Sequence, residues 1–148
     1  MWGFKLKHHT KEKGDIGVTV IIADLSKKGF KILTPLSEHL PFDIVAYNVE
    51  KDKFYKIQCK YSSKTEAGVV NVKLISSYST KNGCSSTRYK FNSFDVIAVY
   101  CPETDCVYYL NSDFTDKYKN SIKLRLEPAR NGQSSDVNLA IDFIKFPE

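Results

Sequence analysis

PFDIVAYNVEKDKFYKIQCKYSS, residues 41–63, decides the fold. It reads as two strands joined by a charged turn, Glu50-Lys51-Asp52-Lys53. Side chains alternate faces along a strand, so Gln58 and Lys60 project to one side with Lys56 and Ser62, and Ile57, Cys59 and Tyr61 project to the other. Asp43, at the start of the partner strand, shares its side with Val45 and Tyr47, while Phe42, Ile44 and Ala46 take the other. One face is polar and one is core, and a carboxylate, an amide and an ammonium can converge near one end of the sheet.

The rest of the chain fits around this hairpin. KEKGDIGVTVIIADLSKKGF predicts a helix, with Val18, Ile21, Ile22 and Leu25 at i, i+3, i+4 and i+7 and Gly29 as its stop. KILTP predicts a short strand, and LSEHLP a loop. GVVNVKLISSY predicts one long strand, STKNGCSSTR a polar loop over 79–88, and FDVIAVYCP with DCVYYLNSDF a second hairpin turning on Pro102-Glu103-Thr104. SIKLRLEP is a further strand, ARNGQSS a turn, and DVNLAIDFIKF a closing helix with Val137, Ala140, Ile141 and Ile144 on its apolar face. Helix, hairpin-linked strands and helix make the class α+β with a mixed sheet. FDIVAY and FDVIAVY echo each other, a match short enough to arise by chance.

At 148 residues the chain is read as one domain, 1–148, with residues 1–10 as a basic arm carrying His8 and His9. No apolar run reaches membrane-spanning length and the N-terminus does not read as a signal peptide, so a cytoplasmic location is expected. The 4 cysteines do not form a disulfide scaffold. Cys101 and Cys106 could be half of a zinc site, but no second pair and no nearby histidine completes it, and buried free thiols are the better reading. The net charge of +5 hints at a polyanionic partner.

A carboxylate beside a lysine suits phosphodiester hydrolysis. The carboxylate ligates a hard cation through oxygen, and the lysine positions water or stabilises charge on phosphorus. PFD, fourteen intervening residues after Asp43 and then Q-C-K resemble the PD-(D/E)-x-K nuclease motif. The chain is also similar to the small intron-encoded homing endonucleases of that superfamily, in which Gln replaces the usual acid. The segments KGDIGVTVIIADLSKKGFKILTPLSEHLPFDIVAYN, KIQCKYSS, FDVIAVY and KLRLEPARNGQSSDVNLAIDFI carry that likeness.

The resemblance implies a restriction-endonuclease-like core with flanking helices, and cleavage of double-stranded DNA with Mg²⁺, for which Mn²⁺ can substitute. It implies Asp43 as metal ligand, Gln58 as metal or water ligand, the Cys59 carbonyl as a further ligand, and Lys60 as catalytic lysine. Phe42 separates Pro41 from Asp43, so the literal P-D pair is absent. The superfamily's first-helix acid would fall on hydrophobic Val18 in an ungapped alignment, leaving Asp15, or Glu12 one turn earlier, as the nearest carboxylate. As a plain helix residue, Asp15 would be an N-cap or a first-turn acid favoured by the helix dipole.

Glu38 and His39 read as an exposed polar loop, and Asp95, which copies Asp43 in the echoing strand, as structural. The candidate DNA contacts are Lys81, Arg88 and Lys90, flanked by Tyr78 and Tyr89, and then Lys117, Lys119, Lys123, Arg125 and Arg130. Cutting both strands of a long site calls for a homodimer or homotetramer. A junction-resolving or restriction-like nuclease, or a DNA-binding module with a decayed site, would share these residues.

Overall fold

The computed structural model describes residues 10–132 and 135–148, without the side chains of residues 78 and 79. The basic arm up to residue 9, with His8 and His9, and the side chain of Tyr78 lie outside that description. A helix α1 (Thr10–Lys27) leads into β1 (Lys31–Leu33), β2 (Ile44–Asn48), β3 (Lys53–Tyr61), β4 (Val69–Lys73), β5 (Ile75–Thr80), β6 (Gly83–Arg88), β7 (Val96–Cys101) and β8 (Cys106–Asn111). A single-turn helix α2 (Ser112–Thr115), β9 (Ser121–Arg125), β10 (Asn138–Leu139) and a 3-10 turn (Ala140–Phe143) follow.

Five strands form a central sheet in the order β1-β2-β3-β7-β8, mixed because β3 and β7 run parallel while the other pairs are antiparallel. One face is covered by α1, whose Ile21 and Leu25 are fully buried against Ile44, Ala46, Ile57 and Cys59. On the other face Ile97, Val99, Tyr108 and Leu110 pack against Val70, Val72, Ile122 and Leu124 of a small β10-β9-β4 sheet. The order is helix, sheet, sheet. The period-2 burial expected of residues 41–63 holds, with Tyr55, Ile57 and Cys59 buried on the helix side.

Gly17 is where α1 comes closest to β3. A Cβ built there would lie 3.2 Å from the Tyr61 Cβ and 3.5 Å from the Lys60 carbonyl oxygen, so glycine lets the helix seat directly on the strand.

The two echoing segments are structural equivalents. In each hairpin a tyrosine hydroxyl bonds the aspartate five residues on, Tyr47 to Asp52 at 2.8 Å and Tyr100 to Asp105 at 3.1 Å. Both aspartates take the left-handed φ of 49° that the turn requires. The first turn starts earlier than expected, occupying Val49 to Asp52.

Other expectations need correction. The polar loop 79–88 is the second half of a hairpin, β5–β6, pairing Ile75 with Arg88 through to Thr80 with Gly83. The long strand 68–78 is two, divided at buried Leu74, whose N–H extends the β4–β9 ladder to the Asn120 carbonyl at 2.8 Å while its own carbonyl accepts the Tyr89 N–H at 3.4 Å at the foot of β5–β6. The closing helix does not form. Asn138 and Leu139 pair in parallel with Leu124 and Arg125, satisfying an edge of β9 that would otherwise stay open. Only the short 3-10 turn follows, and Ile141 of the expected apolar face is 66% exposed. Of the four free thiols, Cys59 and Cys101 are buried and Cys106 half-buried, but Cys84 is exposed on β6.

Candidate active site and nucleic-acid face

Asp43 stands one residue before β2, and its N–H donates to the Ile57 carbonyl at 2.9 Å. Its carboxylate continues the β2 edge past the strand's end. Oδ2 accepts the Cys59 N–H at 2.7 Å and the Gln58 side-chain amide at 2.7 Å. Gln58 Nε2 also lies 3.4 Å from the Cys59 carbonyl oxygen. A carboxylate oxygen and a backbone carbonyl oxygen therefore converge on one position, held here by a weakly positive NH₂ group.

That donor set suits a hard divalent cation. The two oxygens already point at one place, and turning the Gln58 amide over adds its own oxygen. Asp43 is the one carboxylate in this arrangement, and among the described residues no group of three or more His, Cys, Asp or Glu side chains could hold a metal. Burial of the carboxyl end raises the Asp43 pKa, against the lowering effects of the Cys59 N–H and the Lys60 charge, although the residue is open to solvent on its outer side.

Lys60 lies two residues beyond Gln58 on the same face. Its ammonium donates to the Ile75 carbonyl at 3.0 Å and sits 4.8 Å from the centroid of the Tyr89 ring. Among the described residues no ion pair within 4.0 Å links it to Asp43. Burial lowers its pKa to about 8; the Asp43 charge pulls the value back up and Lys73 pushes it further down. Tyr89 is half-buried, and burial followed by the Asp43 charge raises its hydroxyl pKa. Tyr89 thus belongs to the site, although the sequence suggested only a DNA-flanking aromatic. The overlooked signal was Asn82-Gly83, a hairpin turn pair that would have brought residues 75 and 89 together.

Asp15 is not brought to this cluster. It lies in the second turn of α1, exposed, with its carbonyl accepting the Thr19 hydroxyl at 2.9 Å. The helix begins at Thr10, so Asp15 is neither an N-cap nor a first-turn acid, the latter place being taken by Glu12. Gly17 docks α1 on the sheet face opposite Gln58 and Lys60, and Val18 packs into the core there. Glu38 and His39 are exposed in their loop. Asp95 accepts the Lys56 N–H at 2.7 Å, a structural role as expected.

The basic residues lie on two elements. Lys81 is exposed at the tip of the β5–β6 hairpin, and Arg88 and Lys90 are exposed at its base, where the Arg88 guanidinium donates to the Tyr118 carbonyl at 2.7 Å. On the outward face of the small sheet Lys123 is exposed opposite Asn71, Arg125 is half-buried opposite Val69, and exposed Lys73 ends the row. The charge of Lys73 is felt at Lys60, so this face adjoins the site. A concavity of about 630 Å³ lies at the far end of the same sheet between Lys64, Arg125 and Arg130 and does not include Asp43. An open face rather than a closed pocket is what a duplex requires.

Among the described residues no helix is long and apolar enough to cross a membrane. Comparison with curated proteins gives no match. Among solved structures the chain resembles the bacterial homing endonuclease I-Ssp6803I, at 24% identity and a TM-score of 0.71, over 92% of this chain and 88% of that one. The sequence model of the PD-(D/E)XK endonuclease family matches residues 8–146. With nearly the whole chain matched and the fold in agreement, the protein belongs to the PD-(D/E)XK endonuclease family.

Proposed function

We propose that this nuclease cleaves double-stranded DNA at specific sites with a divalent cation, as a homing endonuclease does. The observation that carries this reading is the 2.7 Å contact between Asp43 and Gln58 with Lys60 next on the same face. The structural neighbour's description as a homing endonuclease, and the similar segments along the chain, support the homing role.

Asp43, the Gln58 amide oxygen and the Cys59 carbonyl would hold Mg²⁺, with Mn²⁺ as a substitute. Bound there, the cation acts as a Lewis acid toward the scissile phosphate. Lys60 presents its ammonium to the same phosphate, and with a value of about 8 its Nζ can hold or release a proton near neutral pH. Lys81, Arg88, Lys90, Lys123 and Arg125 would carry the phosphate contacts and help register the duplex. Asp15 would join the site only if DNA or metal drew the start of α1 toward it.

One chain covers a short footprint, so a homodimer or homotetramer would place a second site on the other strand. Nicking of supercoiled plasmid with Mg²⁺, its loss with chelator, and sedimentation on DNA test the three parts together. Metal-independent binding without nicking would leave a DNA-binding module. Preference for a four-way junction over linear duplex would favour a resolving enzyme.

A further inference from the structure

Lys60 is held by the hairpin rather than by the carboxylate. Ile75, whose carbonyl takes the ammonium, opens β5, and Tyr89, whose ring lies under it, directly follows β6. Ile75 pairs with Arg88, and the Tyr89 N–H donates to the Leu74 carbonyl at 3.4 Å. The two partners of Lys60 are therefore the two feet of one hairpin, whose tip carries Lys81. Tyr89 is itself fixed, edge-on to Phe94 with centroids 5.4 Å apart, and packed against the buried cluster that contains Leu74.

Lysine has a flexible four-carbon stem, and an ammonium free to sample it would reach the reacting phosphate only part of the time. A ring face and a carbonyl oxygen, approaching from two sides, select one arrangement through cation–π attraction and a charge-assisted hydrogen bond. We propose that Tyr89 is a positioning residue for Lys60, so that the hairpin that would grip DNA at its tip aims the lysine at its feet. The proposal rests on the nuclease reading of Asp43, Gln58 and Lys60. It assigns the work to the ring face, not to the phenol hydroxyl.

The variants Tyr89→Phe and Tyr89→Leu separate these possibilities. With Mg²⁺ and plasmid DNA, Tyr89→Phe should cleave within about threefold of wild type, and Tyr89→Leu should lose about tenfold or more in kcat with KM within about threefold. A second readout does not need activity. In metal-free protein the Lys60 ε-methylene resonances should be shifted upfield by the ring current in wild type and Tyr89→Phe, and lose that shift in Tyr89→Leu.

Wild-type kcat in Tyr89→Leu, a loss in Tyr89→Phe as large as in Tyr89→Leu, or no ring-current shift in wild type would each overturn the proposal. If wild-type protein cuts nothing, the nuclease reading fails, and the ring-current shift alone decides whether Tyr89 holds Lys60. That shift and the Tyr89→Phe comparison stand even if Tyr89→Leu fails to fold.

Discussion

Asp43 and Asp95 grip β3 from its two sides, each accepting one of its backbone N–H groups at 2.7 Å, Cys59 on the β2 side and Lys56 on the β7 side. Each also donates its own N–H to a β3 carbonyl at 2.9 Å. The difference lies in what else the carboxylate meets. Asp43 faces Gln58 and feels Lys60, whereas among the described residues the Asp95 carboxylate bonds the Lys56 N–H.

Equal backbone roles and unequal chemistry make a paired test. Asp43→Asn should reduce cleavage by about a hundredfold or more while duplex affinity stays within about tenfold, because the amide keeps an acceptor but not the charge a cation needs. Asp95→Asn should keep kcat within about threefold and cost about 1 kcal/mol of stability. Equal losses of cleavage in both variants would reduce Asp43 to a strand cap.

Lys60 carries a pH signature. Below pH 8 the folded protein holds a charged, largely enclosed ammonium, and this costs stability. Between about 8 and the ordinary 10.5 the folded lysine has lost its proton while the unfolded one keeps it, so its contribution to stability rises with pH in that window. The shift corresponds to about 3 kcal/mol at full strength, and partial exposure reduces this to about 1–2 kcal/mol. Metal-free Lys60→Met should therefore be more stable than wild type at pH 7, with the gap closing by pH 10. Urea melts at both pH values check it, and a constant gap would place the lysine in solvent.

Salt should separate the two basic elements from the site. Lys81→Ala and Lys123→Ala, both at exposed positions, should each reduce the slope of log affinity against log salt by about one, leaving kcat at saturating DNA within about twofold. Arg88→Ala should do more, because it also unties the hairpin base from Tyr118. A slope unchanged in all three would move the DNA elsewhere on the molecule.

The shared face of the candidate trio Asp43, Gln58 and Lys60 was legible because residues 41–63 are buried on one face only, so alternation fixes which side chains share a side. The β5–β6 hairpin was not. It is largely exposed, and its polar strands show no hydrophobic period to read. Residues 136–146 carried a helical spacing, but the open edge of β9 recruited Asn138 and Leu139, a tertiary demand that local pattern does not reveal. The Lys60–Tyr89 contact was hidden for a related reason, since it exists only once the unread hairpin closes.

The parallel register of β3 and β7 sets an order of assembly. The hairpins β2–β3 and β7–β8 join near neighbours in sequence and can close within microseconds. Ile57 and Val96, by contrast, are 39 residues apart, and their pairing must wait for the whole excursion between them to loop back. Stopped-flow refolding of Val96→Ala should be slower than wild type; an unchanged refolding rate with faster unfolding would put this closure after the main barrier. Asp43 and Gln58 come together on the early side of that order. A chain caught midway would hold its carboxylate and amide in place while Lys60 still lacked the hairpin that aims it, and would meet DNA unarmed.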